Sequence, residues 1–366
     1  MLLKHLTLQH FRNYNRVELS TDHQVNIFIG PNAQGKTNLL EAIYVLSICK
    51  SHRTHRDREM IQWNRDYAQL ACEIEKKYST AKLHMQLMPK GKKVKINGLE
   101  QKKLSDFIGT LNVVMFAPED LEIVKGSPRI RRRFLDMEIG QVYPSYLHLL
   151  QQYQKALLQR NSVLKQPGVR PEMFAVWDEQ LAVYGSKIMK KRQNFIRKLQ
   201  NWAEKIHSGI TNQQESLKID YQPSFAAENL EDETVLLEQF MLQLSHAKEQ
   251  ELKRGITLFG PHRDDLLFFI NGKDVQSYAS QGQQRTAALS LKLAEIELIY
   301  EEVGEFPLLL LDDVLSELDP YRQTQLIETF QGKVQTFITT TSMDSVDIGK
   351  LHDVKMFHVR DGELVH

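Results

Sequence analysis

Gly30-Pro31-Asn32-Ala33-Gln34-Gly35-Lys36-Thr37 satisfies G-x-x-x-x-G-K-[ST], the spacing of a phosphate-binding loop, at every fixed position. Its surroundings agree. Val25-Asn26-Ile27-Phe28-Ile29 reads as a short buried strand entering the loop, and helical periodicity sets in at Thr37 and lasts to about Leu46. A strand-loop-helix unit of this kind belongs to α/β folds. Its glycines let backbone N–H groups close around a phosphate, and the first helical turn adds unpaired donors and the positive end of the helix dipole. Gly30, Pro31, Asn32, Ala33, Gln34, Gly35, Lys36, Thr37 and Asn38 are therefore candidate nucleotide-binding residues. Lys36 suits a bridge between β- and γ-phosphates and Thr37 suits Mg²⁺ ligation, so ATP and Mg²⁺ are the expected ligands.

Two stretches further along complete such a site. Pro307-Leu308-Leu309-Leu310-Leu311-Asp312-Asp313 reads as a buried strand delivering two acids at its end. Asp312 is the candidate for the Mg²⁺ shell, and Asp313 is the candidate catalytic base that polarises an attacking water, alongside Lys36. Upstream, Ser280-Gln281-Gly282-Gln283-Gln284-Arg285 opens a helix whose apolar positions follow from Thr286 to Ile299. Ser280, Gly282 and Gln283 would offer a hydroxyl and free N–H groups to a γ-phosphate, although a plain helix cap accounts for the same residues.

The rest of the chain surrounds these motifs. Leu2, Leu6 and Leu8 alternate with polar neighbours, and residues 67–98 read as further strands with an Asn97-Gly98 hairpin turn. From Pro144 to Arg254 the pattern is helical, and its longest stripe comprises Trp177, Leu181, Tyr184, Ile188, Phe195, Leu199, Trp202 and Ile206, interrupted once at Lys191. Gly255 suits a helix cap. Turns at Asn271-Gly272 and Asp361-Gly362 mark a return to β patterning. The expected organisation is an N-terminal half of an ATPase head (1–120), a helical arm (121–254) and a C-terminal half of the head (255–366).

Composition narrows the setting. With 42% hydrophobic and 25% charged residues and no apolar run of membrane-spanning length, a membrane-embedded protein is excluded. The opening MLLKHLTLQHFRNY alternates polar and apolar residues, unlike a secretory signal, and Cys49 and Cys72 have no ligand or CxxC spacing. A cytoplasmic location is expected. The net charge of +1 gives no global pull toward nucleic acid, but the charge is unevenly placed. Arg129, Arg131, Arg132 and Arg133 form one basic cluster, Lys190, Lys191 and Arg192 part of another, and both are candidates for DNA contact; a solvated helix face is the plainer alternative.

Together these motifs resemble the ABC ATPase superfamily, with Ser280 to Gln284 standing for its signature and Ser316 to Asp319 for its D-loop. More than 240 residues separate loop and signature, which is similar to the SMC and RecF branch. Within it, Leu8 to Tyr14, Gly30 to Asn38, Phe116 to Asp120, Gly126-Ser127-Pro128, Arg132 to Asp136 and Gly260 to Asp265 all resemble the RecF family, nearly end to end. The resemblance implies an ABC-type head with flanking antiparallel β structure and an inserted helical arm. It also implies an ATP-dependent homodimer on double-stranded, gapped or junctional DNA, and work with RecR and RecO to place RecA. Arg53, Arg56 and Arg58 lie just beyond the helix that follows the loop and could reach nucleotide phosphates instead of DNA, Arg12 shares that ambiguity, and Glu119 is a candidate for the role of the Gln that the loop near Pro118 usually carries. Two departures stand out: Asp313 replaces the usual Glu, and the usual switch histidine is missing near Ser342, so hydrolysis is expected to be slow, while the resemblance implies that DNA stimulates it. An ATPase subunit of an ABC transporter and a non-catalytic DNA-binding scaffold are the competing readings.

Overall fold

The computed structural model describes residues 1–166, 168, 171–342 and 351–365. These form two compact units, Met1–Asp120 with Leu289–His366, and Leu121–Ala288. The first unit opens with β1 (Leu2–Phe11), β2 (Tyr14–Ser20), β3 (Val25–Ile29), α1 (Lys36–Ile48), β4 (Ala68–Glu75), β5 (Thr80–Met88), β6 (Gly91–Ile96), β7 (Leu99–Glu100) and β8 (Val113–Phe116). The second contains α2 (Leu121–Lys125), α3 (Pro128–Val142), α4 (Pro144–Leu164), α5 (Ala175–Ile210), β9 (Leu217–Gln222), α6 (Glu233–Arg254), β10 (Asp265–Ile270), β11 (Lys273–Asp274) and α7 (Val275–Tyr278). Helix α8 (Gln281–Val303) begins in the second unit and continues in the first, followed by β12 (Leu308–Asp312), α9 (Pro320–Phe330), β13 (Thr336–Thr340), β14 (Val354–Arg360) and β15 (Glu363–Val365).

Two sheets build the first unit. One is antiparallel, in the order β2-β1-β4-β5-β6-β7. Its strands alternate buried and exposed positions, as in β5, because only one face is covered. The other runs β15-β14-β3-β13-β12-β8, and all its pairs except the terminal β14–β15 hairpin are parallel. Strands β3, β12 and β13 are buried along their whole length, which explains the apolar run Leu308–Leu311 and the run Val25–Ile29, apolar except for Asn26. Their register aligns Asp312 with Thr339 and Thr340 with Ile29. Three carboxyl ends thus finish together at the phosphate-binding loop, where open parallel sheets hold ligands.

The second unit packs α4, α5 and α6 with the small antiparallel sheet β11-β10-β9. Helix α5 buries Leu181, Ile188, Phe195 and Leu199, four positions of the expected stripe. It approaches α6 closely at Gly185, where a Cβ would come within 2.4 Å of the Phe240 ring. The unit does not stop at Arg254: β10 pairs with β9 from Asp265–Gln222 to Ile270–Leu217, tying the segment after Gly255 to the arm as far as Ala288. The division expected at 254 therefore lies at 288, because strand pairing outweighs the change of local pattern. Gly255 itself caps α6 in the left-handed conformation (φ 66°).

Candidate functional site

The phosphate-binding loop is held open by contacts from its neighbours. Gly35 sits at φ 115°, and a Cβ there would meet Asn13 Nδ2 at 2.6 Å, so only glycine fits. Asn13 Nδ2 donates to the Gln34 carbonyl at 2.9 Å while its Oδ1 accepts from Asn38 at 2.7 Å, and the Tyr14 hydroxyl donates to the Gly35 carbonyl at 3.0 Å. From the other side the β14–β15 turn braces the loop, with Asp361 N–H donating to Gln34 Oε1 at 2.7 Å. Inside the loop, Lys36 Nζ donates to the carbonyls of Gly30 and Pro31 at 2.6 and 2.7 Å. Burial pushes the Lys36 ammonium below the usual lysine value, against the pull of Asp313 and Asp312.

Residues far apart in sequence meet at the strand ends. Thr37 Oγ1 donates to Asp312 Oδ1 at 2.9 Å, across 275 residues, and Thr339 Oγ1 donates to the same oxygen at 2.7 Å. Burial raises the Asp312 carboxyl above the usual range, and the two hydroxyls only partly offset it. Thr339 also accepts the Asp313 N–H at 2.9 Å, fixing the backbone where Asp313 turns into the left-handed region at φ 55°. Ser316 Oγ donates to the Asp313 carbonyl at 2.7 Å and contacts its Oδ1 at 3.2 Å. The Thr37 hydroxyl and Asp312 carboxylate form a hard oxygen pair that suits a divalent cation also bound by phosphate oxygens and water. Among the described residues no cluster of three or more His, Cys, Asp and Glu forms a metal cage elsewhere.

A second layer lies behind the loop. Buried Glu41 of α1 accepts Arg12 Nε at 2.8 Å and Arg12 Nη2 at 2.5 Å, and Arg12 Nη1 donates to the Glu59 carbonyl at 2.7 Å. Ser51 also donates to Glu41, and these partners hold the Glu41 carboxyl below its usual range despite burial. Arg53 donates to Asn38 Oδ1 at 2.8 Å, and Arg53, Arg56 and Arg58 are all exposed. His52 is half-buried against Tyr44 and pushed down to about 4 by desolvation. Glu119 is exposed yet close enough to influence both His52 and Asp312.

In the second unit, Ser280 caps α8. Its Oγ accepts the Gln283 N–H at 3.2 Å while Gln283 Oε1 accepts the Ser280 N–H at 2.9 Å, a reciprocal capping box. Ser280 is exposed and Gly282 and Gln283 are partly so.

A sequence model of the RecF/RecN/SMC N-terminal domain matches residues 2–363. The chain is 52% identical to the DNA replication and repair protein RecF of Oceanobacillus iheyensis, covering 99% of both chains, and 53% identical to that of Bacillus velezensis over 100% of both. The chain belongs to the RecF family. It carries the ABC-type ATPase fold and is an ATPase of DNA replication and repair. A solved structure described as the recombination mediator protein RecF with ATPrS in the RecFOR pathway superposes with a TM-score of 0.92 at 37% identity, covering 99% of this chain and 97% of that one. The Smc head of Pyrococcus furiosus, at 16% identity and TM-score 0.54, shares the fold. End-to-end similarity to RecF leaves the transporter-subunit alternative without support.

Within this RecF-family chain the basic clusters divide. Arg131 is buried and forms a bidentate pair with Asp265 at 2.7 and 2.8 Å, and Arg192 is buried among Asp136, Tyr146 and the Pro261 carbonyl. Neither presents its charge to solvent, so the expectation that both face DNA is corrected: helix packing turns them inward onto acids of their own unit. Arg132 is half-buried and donates to the Asp264 carbonyl. Arg129 is exposed, Arg133, Lys190 and Lys191 are half-buried, and Lys191 also lies over the Tyr143 ring. Sequence reasoning missed Asn13, Glu41 and Thr339. Thr339 left one signal, since a threonine inside a wholly buried strand needs a hydrogen-bond partner.

Proposed function

We propose that the chain binds ATP in the loop Gly30 to Asn38 and hydrolyses it slowly, between two copies of itself, as a switch for holding DNA. The observation that carries this reading is the Thr37–Asp312 hydrogen bond of 2.9 Å beside Lys36, which brings the loop and the acid-tipped strand to one point. Thr37 and Asp312 would hold Mg²⁺, whose charge neutralises the phosphates when bound. Lys36 offsets charge between β- and γ-phosphates, and Asp313 accepts a proton from the attacking water. Asp313 is one methylene shorter than Glu, and Ser316 contacts its carboxylate, both of which favour slow turnover. Arg12 acts through Glu41, bracing α1 behind the loop.

Ser280, Gly282 and Gln283 would complete the site of the partner copy, as in the ABC arrangement that the fold implies. The RecFOR-pathway name of the solved relative supports RecR and RecO as partners, and the placing of RecA on single strands rests on the family resemblance alone. Arg129, Arg132, Arg133, Lys190 and Lys191 are the remaining candidates for duplex or gapped DNA. No helix among the described residues is long and apolar enough to cross a membrane.

Mixing Lys36→Ala with Ser280→Arg protein tests the composite site. Each variant alone is inactive, and a heterodimer has one intact and one doubly defective site, so activity returns on mixing. If demonstrable heterodimers stay inactive, or either variant alone hydrolyses ATP at the wild-type rate, the reading is wrong.

A further inference from the structure

The capping box at Ser280 is anchored from outside its own helix. Gln283 Nε2 donates to Glu215 Oε1 at 2.8 Å, so one amide side chain holds the Ser280 backbone with its oxygen and Glu215 with its nitrogen. The other Glu215 oxygen, Oε2, lies 3.1 Å from Nε2 of His207, which is fully buried in the last turn of the 36-residue helix α5. Burial pushes His207 below the usual histidine value despite this carboxylate. Glu215 sits in the short connection between α5 and β9, with only 20% of its side chain exposed. The carboxylate thus links the end of the long arm helix to the residue that sets the first turn of α8.

We infer that Glu215 is a positioning residue for the signature segment, transmitting the placement of the α5 end through Gln283 to Ser280. The inference rests on the proposed role of Ser280 toward ATP in a partner copy. Both oxygens of Glu215 are committed, one to each side, so a shift of α5 relative to β9 would turn the Gln283 amide and with it the donors around Ser280. Arm and signature belong to the same compact unit, so the link needs no contact beyond it. A plain N-cap would require only Ser280 and Gln283. The carboxylate that grips Gln283 from another element is what a cap alone does not explain, and a charge-assisted bond of this kind fixes orientation more firmly than a neutral one.

Glu215→Ala and Glu215→Gln test this against Ser280→Arg. Glutamine can still accept from Gln283 and face a neutral His207, whereas alanine can do neither. The alanine variant should bind ATP to the monomer with wild-type affinity, while its ATP-driven dimerisation weakens roughly tenfold, the equivalent of one such hydrogen bond; the glutamine variant should restore most of it. Hydrogen exchange of the ATP-free alanine variant gives an independent readout: amides of Gly282, Gln283 and Gln284 should exchange faster and those of α1 unchanged. If Glu215→Ala dimerises and exchanges like wild type while Ser280→Arg does not dimerise, the positioning role is refuted. If Ser280→Arg itself dimerises normally with ATP, the composite-site reading falls instead.

Discussion

Arg192→Ala separates a buried structural arginine from a DNA contact. Arg192 donates to Asp136 at 2.8 Å, to the Tyr146 hydroxyl at 3.0 Å and to the Pro261 carbonyl at 2.6 Å, and lies 3.8 Å from Asp264. Removing it leaves a buried carbonyl without its donor and two carboxylates without their cation. Breaking a buried pair costs about 3–5 kcal/mol. The lower end applies here, because Asp136 is 23% exposed and still accepts from Tyr146, and Asp264 keeps Tyr221 and Ser224. For a unit of this size about 3 kcal/mol corresponds to a fall of roughly 6–12 °C in melting temperature. Thermal melts followed by circular dichroism, with duplex binding measured by anisotropy well below the melting point, should show lost stability and near wild-type DNA affinity. Arg192→Lys should fall between, since an ammonium cannot reproduce three divergent contacts. A variant that melts like wild type but loses duplex binding and salt dependence would refute the assignment.

Arg129, exposed at the start of α3, should behave in the opposite way: Arg129→Ala leaves the melting temperature unchanged, weakens duplex binding and reduces the salt slope by about 1, as counted from anisotropy titrations across ionic strength. Gly35→Ala places a Cβ 2.6 Å from Asn13 Nδ2 at φ 115°, so calorimetry should find ATP binding abolished in a chain that still folds. His52 and His262 are each pushed by burial to about 4, so each contributes stability that is fully present above the ordinary histidine value of 6.5 and lost as pH falls through about 4. Urea unfolding between pH 7 and 4 should therefore show falling stability, less steeply in His262→Gln; identical slopes would contradict it.

Much of the local structure could be read from neighbouring residues. The loop Gly30 to Thr37 with its strand and helix, the hairpins at Asn97-Gly98, Asn271-Gly272 and Asp361-Gly362, and the cap at Gly255 all depend on few-residue patterns and on positions that favour positive φ. The acid-tipped strand ending at Asp312 was legible for the same reason, as a continuous apolar run buried on both faces. Only strand order decided that Thr37 and Asp312 touch across 275 residues, and that Thr339, 27 residues from Asp312, joins them, because β13 pairs with β12 on one side and with the distant β3 on the other. The same holds for the arm's extension to Ala288, which pairing with β9 fixes. The basic cluster in α3 shows the limit most clearly. Arg129 and Arg131 are two residues apart and so about 200° apart around the helix, which predicts opposite faces. Which face meets water and which meets Asp265 depends on where β10 packs, and that is a property of the tertiary structure alone.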